Sequence, residues 1–428
     1  MKVSMQTGND MLKLQEEYRE RIQEDFWPYW SKFDDCVYGG ILNCIDNSGS
    51  KLVSEQKFTW SQGRYLWLLA EMLEAIQKGL LPALDSEDII NKLERCRKFL
   101  IDFAFESKDI CYYLLERDGK PIPENRTGKL AASIFSDCFV FIGLANAQRV
   151  YPDENLYDTI SGLYRSIVER INSGTFFTEP YPIPENYRSH SIPMILINVS
   201  CEYIKMLEAM EHTPSDEMQF AEDTLEDCIE QFFTYHYDED LGLVREFVST
   251  PERFETHLQD RHINPGHTLE NIWFILEGHE LLGKPEEKIE LLSNLAKKSF
   301  TYGWDKEYGG LLRFVDKEGG PPRGETTGEA FETLILDTWH MKIWWPHAET
   351  LYTFLKLYSI TGDEELLDIY RMAEEYIFRV FPDKVNGEWI QIRNREGIPE
   401  EKLVALPVKD PFHILRVFLR IIQLQDFD

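Results

Sequence analysis

The feature that most restricts the fold of this chain is a unit of about seventy residues that recurs six times. Each copy carries a short apolar segment ending in a turn, at residues 40–49, 111–119, 175–180, 242–247, 310–319 and 388–397, with starts 64 to 78 residues apart. Between these segments, apolar residues recur at i, i+3, i+4 and i+7, the period of an amphipathic helix. The pattern predicts about twelve helices, over 16–26, 61–77, 87–105, 135–149, 157–171, 192–210, 220–235, 268–282, 288–302, 347–360, 364–380 and 411–424. A helix pair cannot bury its apolar face alone, so such units must stack on one another. Six long, aromatic-rich units favour closure over an open solenoid. The expected fold is all-α: one (α/α)6 barrel with short β-hairpins gathered at one end. No Gly/Ser- or Pro-rich tract interrupts the pattern, so residues 1–428 read as one domain.

Composition narrows the partners. At 43% hydrophobic and 13% aromatic, the chain can bury a large core. A net charge of −30 argues against nucleic acid and against an anionic membrane surface, since both need basic patches. No run reaches membrane-spanning length, and residues 1–20 lack the apolar stretch of a signal peptide. The seven cysteines are odd in number and form no Cys-x-x-Cys pair. A reducing cytoplasm and a small, neutral ligand are the expectation.

Functional groups in a closed helical ring should lie where helices begin. Asn264-Pro265-Gly266 opens a helix whose first turn carries His267 and Glu270, three apart and on one face. The positive end of the helix dipole disfavours imidazolium, so His267 is expected to be neutral and able to accept a proton. Arg64 lies in the first turns of a very apolar helix and needs either a ligand or a buried acidic partner. Trp344-Trp345-Pro346-His347 opens another helix with Glu349, and indoles beside a carboxylate suit a sugar, although tryptophan is also core filler. His413 opens the last helix, where a lone histidine is more often structural than catalytic, and His190 is a further candidate of lower weight. There is no His-Glu-x-x-His, no Gly-x-Ser-x-Gly, and His257 and His262 are too scattered to compel a metal. Residues 278–284 match part of a phosphate-binding loop, but Pro285 replaces the hydroxyl residue and no strand precedes it, so a helix C-terminus is expected.

Taken together, these segments resemble the N-acylglucosamine 2-epimerase family from about Gly39 to Arg416. The resemblance rests on Gly39-Gly40, Gln62-Gly63-Arg64, residues 133–139, Asn264–Glu270, Lys342–Glu349, residues 387–397 and Phe412-His413-x-x-Arg416. It implies an (α/α)6 barrel, His267 and His413 as an acid/base pair, Glu270 as a supporting carboxylate and Arg64 near C1–C2 of the sugar. Trp273, Trp345 and Glu349 match substrate-contacting positions. The implied reaction removes the C2 proton of an open-chain sugar with one imidazole and returns it to the other face with the second. It requires no cofactor and no metal. Family members that act on N-acyl sugars often respond to ATP, although residues 278–284 lend an ATP site no support.

The expected function is interconversion of N-acetylglucosamine and N-acetylmannosamine. Pro411, where disaccharide epimerases tend to have Trp, leans towards a monosaccharide. Residues 319–340 are longer than the corresponding family loop and could form a lid or an oligomer contact, and a homodimer is one expectation. Alternatives are an aldose–ketose isomerase, a mannose or cellobiose 2-epimerase, or a glycoside hydrolase using Glu270 and Glu349 as its two carboxylates.

Overall fold

A computed structural model of the protein describes residues 8–424 apart from 253, 403, 405 and 406. Twelve long helices alternate between an outer and an inner layer. The outer set is α1 (Gly8–Glu20), α3 (Ser86–Phe103), α5 (Tyr157–Ser173), α7 (Asp216–Gln231), α9 (Ile289–Gly303) and α11 (Glu364–Val380). The inner set is α2 (Thr59–Gln77), α4 (Ile134–Val150), α6 (Ser191–Ala209), α8 (Pro265–Leu281), α10 (Trp344–Thr361) and α12 (Phe412–Ile422). Each inner helix packs on the next, and α12 returns to pack on α2, so the inner six make a continuous ring. The architecture is helix-rich and consistent with an α/α barrel.

Sequence explains the two layers. Inner helices are apolar nearly all round, as α4 shows with Phe139, Val140, Phe141, Ile142 and Leu144 all buried. Outer helices bury one stripe, as α11 does with Leu366, Leu367, Tyr370, Ala373, Tyr376 and Ile377. Several outer helices start on side-chain caps: Asp85 accepts from the Glu87 N–H, Ser215 from Met218 and Asp363 from Glu365. Helices α2 and α4 approach most closely where glycines face each other. A Cβ on Gly63 would lie 2.2 Å from the Phe139 carbonyl oxygen, and one on Gly143 would lie 2.3 Å from the Gly63 carbonyl oxygen.

The connections are unequal. Only Gly362 and Asp363 separate α10 from α11, whereas long segments lead from each outer helix into the next inner one. Those segments hold the strands, at the end where inner helices begin. Hairpins occur as expected at 237–244 and 382–389. Other pairs differ from expectation by joining neighbouring units: Lys57–Phe58 with Leu114–Leu115, Tyr187–Ser189 with Phe247–Ser249, His262–Ile263 with Val315–Asp316, and Lys342–Ile343 with Ile392–Arg393. Each of these precedes an inner helix and fixes where it starts. The copies at 40–49 and 175–180 make only isolated bridges, Asp34 with Ile41, Ile45 with Leu52 and Ser133 with Thr178.

A buried ion pair repeats with the fold. Lys57 Nζ lies 2.9 Å from Asp35 and 2.8 Å from the Gly39 carbonyl; Lys342 Nζ lies 3.1 Å from Asp305 and 3.2 Å from the Gly310 carbonyl. Both lysines sit on the strand before an inner helix and staple it to the preceding turn. Residues 319–340 contain a helix the periodicity did not reveal, Ala330–Thr338, started by a capping box between Glu329 and Glu332. No helix among the described residues is long and apolar enough to cross a membrane. All seven cysteines are unpaired, and all but Cys36 are buried.

Candidate active site

The inner-helix starts surround a cavity of about 260 Å³, near the lower end of the range for small-molecule pockets. Arg64, His267, Glu270, Asp410, His413 and Arg416 line its polar side, with Trp60, Trp344 and Trp345. An apolar cluster of Tyr181, Phe247, Phe314, Phe331 and Leu334 also lines it. Phe331 and Leu334 come from the helix Ala330–Thr338, so this part of the long segment forms a wall of the cavity.

His267 sits in the first turn of α8, where Asn264 Oδ1 accepts the His267 backbone N–H at 3.2 Å. Its ring is a quarter exposed, and Nδ1 lies 2.9 Å from Glu246 Oε1. The expectation that the helix terminus leaves this imidazole neutral is corrected. Burial does oppose the charge, but the Glu246 carboxylate outweighs it and holds the His267 pKa above its usual 6.5. Glu246 belongs to the strand segment of the preceding unit, so its approach is invisible from local sequence. It also lies 3.6 Å from His190 Nδ1.

His413 has the opposite environment. Its Nδ1 donates to Glu349 Oε1 at 2.8 Å, leaving Nε2 as the basic nitrogen, 3.9 Å from Asp410 Oδ2. Burial, seconded by the Arg64 and Arg416 guanidiniums, pushes its pKa down to about 3, so it is neutral at physiological pH. The indole of Trp345 neighbours both imidazoles, with ring centroids 5.0 Å from His267 and 5.8 Å from His413. The two rings are thus biased in opposite directions, Glu246 favouring the proton on His267 and burial disfavouring it on His413, which is the division an acid–base pair needs.

Arg64 has the buried acidic partner that one of its sequence readings called for. It pairs with Asp410 at 3.2 Å and stacks on Phe139 at 4.0 Å, and it still lines the cavity. Arg416 bridges Glu270 and Glu349 through one Nη2, at 2.6 Å from the latter. Trp273 and Glu349, expected against the ligand, stand behind the cavity wall. Trp273 Nε1 donates to Glu349 Oε2 at 2.8 Å, and Glu349 is fully buried. His190 is likewise fully buried, with Asn271 Nδ2 donating to its Nε2 at 3.0 Å. These three position the lining groups.

Two triads, His190–Glu246–His267 and Glu270–Glu349–His413, bring ligand-type atoms within 4.8 Å of one another. In each, those atoms already meet one another or Arg416, as an acid–base cluster requires. The same clustering weighs against a hydrolase. Glu270 and Glu349 share one guanidinium nitrogen, and Glu349 does not face the cavity, whereas glycoside hydrolysis needs two carboxylates flanking the substrate. Residues 278–284 close α8 as expected: the Lys284 N–H donates to the His279 carbonyl, and its side chain pairs with Glu226. The structure lends no support to an ATP site there.

Sequence reasoning passed over Glu246, Asp410 and Arg313. A signal for two of them exists in the repeat. Gly39, Gly242, Gly309 and Gly387 each donate an N–H to the aspartate four residues earlier, and four residues later stand Asn43, Glu246, Arg313 and Gln391, all buried polar groups.

Known proteins resemble this chain along most of its length. The family model described as N-acylglucosamine 2-epimerase (GlcNAc 2-epimerase) matches residues 39–416. Among curated relatives, the N-acylglucosamine 2-epimerase of Mus musculus is 27% identical over 93% of this chain and 90% of its own. That of Bos taurus is 29% identical over 89% and 84%. A crystal structure of a sugar epimerase from a ruminal bacterium superposes with a TM-score of 0.74 at 18% identity, covering 96% of this chain and 98% of its own.

Proposed function

The chain belongs to the N-acylglucosamine 2-epimerase family and is a carbohydrate isomerase, and from that premise we propose that it interconverts N-acetylglucosamine and N-acetylmannosamine. The observation that carries the reading is the pair of imidazoles beside Trp345 in one cavity, one with its pKa raised by Glu246 and the other with its pKa lowered by burial. In this reading the pyranose opens first. His413 Nε2 takes the C2 proton of the aldehyde form, and His267 delivers a proton to the opposite face. Between the two transfers charge gathers on the enediolate oxygen, where the Arg64 guanidinium stabilises it. Reversal uses the same groups with protonation exchanged. These side chains supply every proton and charge in the step, so the chemistry calls for no cofactor.

We read the architecture as one (α/α)6 domain, with a cytoplasmic location to which six buried free thiols are suited. A homodimer is part of this reading, and light scattering on the purified protein tests it.

Proton NMR in deuterium oxide tests the function. N-acetylmannosamine, N-acetylglucosamine, mannose and cellobiose are each incubated with the protein. Anomeric signals of the C2 epimer, with deuterium entering C2, are the expected outcome for the N-acyl sugars. A ketose product would reassign the protein as an aldose–ketose isomerase using the same imidazoles. Turnover confined to mannose or cellobiose would replace the substrate, and no exchange with any sugar would overturn the reading.

A further inference from the structure

Among the charged groups of the cavity, Arg313 stands apart. Arg64 has Asp410, Arg416 has Glu270 and Glu349, and His267 has Glu246. Arg313 lines the same cavity, is 6% exposed, and forms no ion pair with any carboxylate among the described residues of a chain with 75 acidic residues. Its guanidinium donates from Nη1 to Thr338 Oγ1 at 3.0 Å and from Nη2 to the Val404 carbonyl at 2.9 Å, while Nε has no partner. Burial without a compensating charge lowers its pKa to about 10. A guanidinium left this way is costly unless a ligand supplies an acceptor.

What surrounds Arg313 restricts that acceptor. Its guanidinium lies 5.0 Å from the Phe314 ring, and Tyr181, Phe331 and Leu334 continue the apolar wall. A phosphate or carboxylate would gain nothing from that apolar wall. A group that is half apolar and half acceptor fits both features. Arg313 is also close enough to His267 to lower its affinity for a proton. His267 works at C2, so a substituent on C2 is the part of the sugar that faces this wall.

We infer that Arg313 recognises the carbonyl oxygen of an acylamino group at C2 of the substrate, with the acyl methyl against the aromatic wall. The inference rests on the proposed C2 chemistry and adds to it the residue that selects an acylated sugar. It also gives residues 330–338 a purpose, because Thr338 holds one arm of Arg313 while Phe331 and Leu334 supply the apolar contact.

The test compares binding of two open-chain alditols by calorimetry, 2-acetamido-2-deoxyglucitol and glucitol, neither of which can react. The unmodified protein is expected to prefer the acylated compound. In Arg313→Met that preference falls by about 30-fold, the loss of one hydrogen bond from a charged donor, while glucitol binds as before. Arg313→Lys is a second variant in case the Met variant does not fold. Its ammonium cannot reach Thr338, Val404 and a ligand together, so the preference falls here as well. Thr338→Val, which loosens the staple and keeps the guanidinium, retains the preference. Equal weakening of both alditols, or no change in either, would overturn the inference and leave Arg313 as a staple. Deuterium exchange at C2 by the unmodified protein tests the parent reading separately.

Discussion

Nδ1 of His267 lies 2.9 Å from Oε1 of Glu246, and this contact sets the two imidazoles of the site apart by raising the pKa of His267 alone. Burial alone would strip the proton from His267, as it does from His413. Glu246 reverses that at one ring only. Glu246→Gln is therefore expected to drop the His267 pKa below 6.5 and to move the alkaline limit of activity to lower pH. At neutral pH the rate should fall roughly 100-fold, the scale of a lost general acid. Imidazole titration by NMR, alongside the pH profile of kcat/KM, checks this. An unchanged profile would remove Glu246 from the account.

His267→Asn and His413→Asn should each reduce epimerisation by about 100-fold or more, with near-normal thermal unfolding. The informative reading is exchange without epimerisation. With one base left, a C2 proton can still be lost from the epimer that presents it to that base, and it returns to the same face. Retained epimerisation in either variant would refute the two-base scheme.

These two residues were legible because each opens a helix at a position the repeat makes prominent. So was the stacking of six helix-pair units, which follows from periodicity alone. The strand pairing between units was not, because Lys57–Phe58 and Lys342–Ile343 are too short to show a pattern and pair with residues about fifty or more positions away. Glu246 and Asp410 were missed for a related reason. Ring closure brings Asp410 to Arg64 from the other end of the sequence, and the irregular segment that carries Glu246 folds against the start of the next inner helix to reach His267, neither of which periodicity reveals. The helix Ala330–Thr338 was obscured by the glycine- and proline-rich stretch before it, although Glu329 and Glu332 mark its start.

Trp273 has no path to the ligand, yet its indole N–H holds Glu349, which in turn orients His413. Trp273→Phe keeps the packing and removes that hydrogen bond, leaving a buried carboxylate oxygen unsatisfied. A cost of about 1–3 kcal/mol in stability is expected, with kcat lowered and KM little changed. Denaturant unfolding and steady-state kinetics separate the two effects. A rise in KM alone would place Trp273 against the substrate after all.

Three buried imidazoles should set the acid stability of the protein. His236, His347 and His413 all have pKa values pushed down to about 3, chiefly by burial. In the unfolded chain they titrate near 6.5, so below that pH the unfolded state binds more protons than the folded one. Stability therefore falls as pH drops from about 6.5 towards 3, by up to ~1.4 kcal/mol per pH unit for each ring. His347 is the ring to vary, because it is structural: Nδ1 donates to the Ile343 carbonyl and Nε2 accepts the Leu311 N–H at 2.9 Å. His347→Gln should be less stable at pH 7.5 but show a shallower decline between pH 6.5 and 4. Parallel declines in the two proteins would mean that His347 takes up its proton without unfolding.

The closest approach in the ring gives the most local prediction. Gly63 and Gly143 face each other across α2 and α4, and Gly63 immediately precedes Arg64. A methyl at residue 63 would lie 2.2 Å from a backbone oxygen that cannot rotate away, so the two helices must separate. Gly63→Ala should cost about 2 kcal/mol or more, against the smaller effect usual for Gly to Ala inside a helix, which favours alanine. Because α2 carries Arg64 and α4 carries Phe139, on which its guanidinium stacks at 4.0 Å, the same change should displace the cation and lower kcat. Gly162→Ala is the control, since a Cβ there meets nothing within 4 Å on the outer helix α5. It should be neutral or stabilising in a thermal melt, with activity unchanged. Equal melting temperatures for the two variants would mean that the α2–α4 contact has slack that the ring geometry does not suggest.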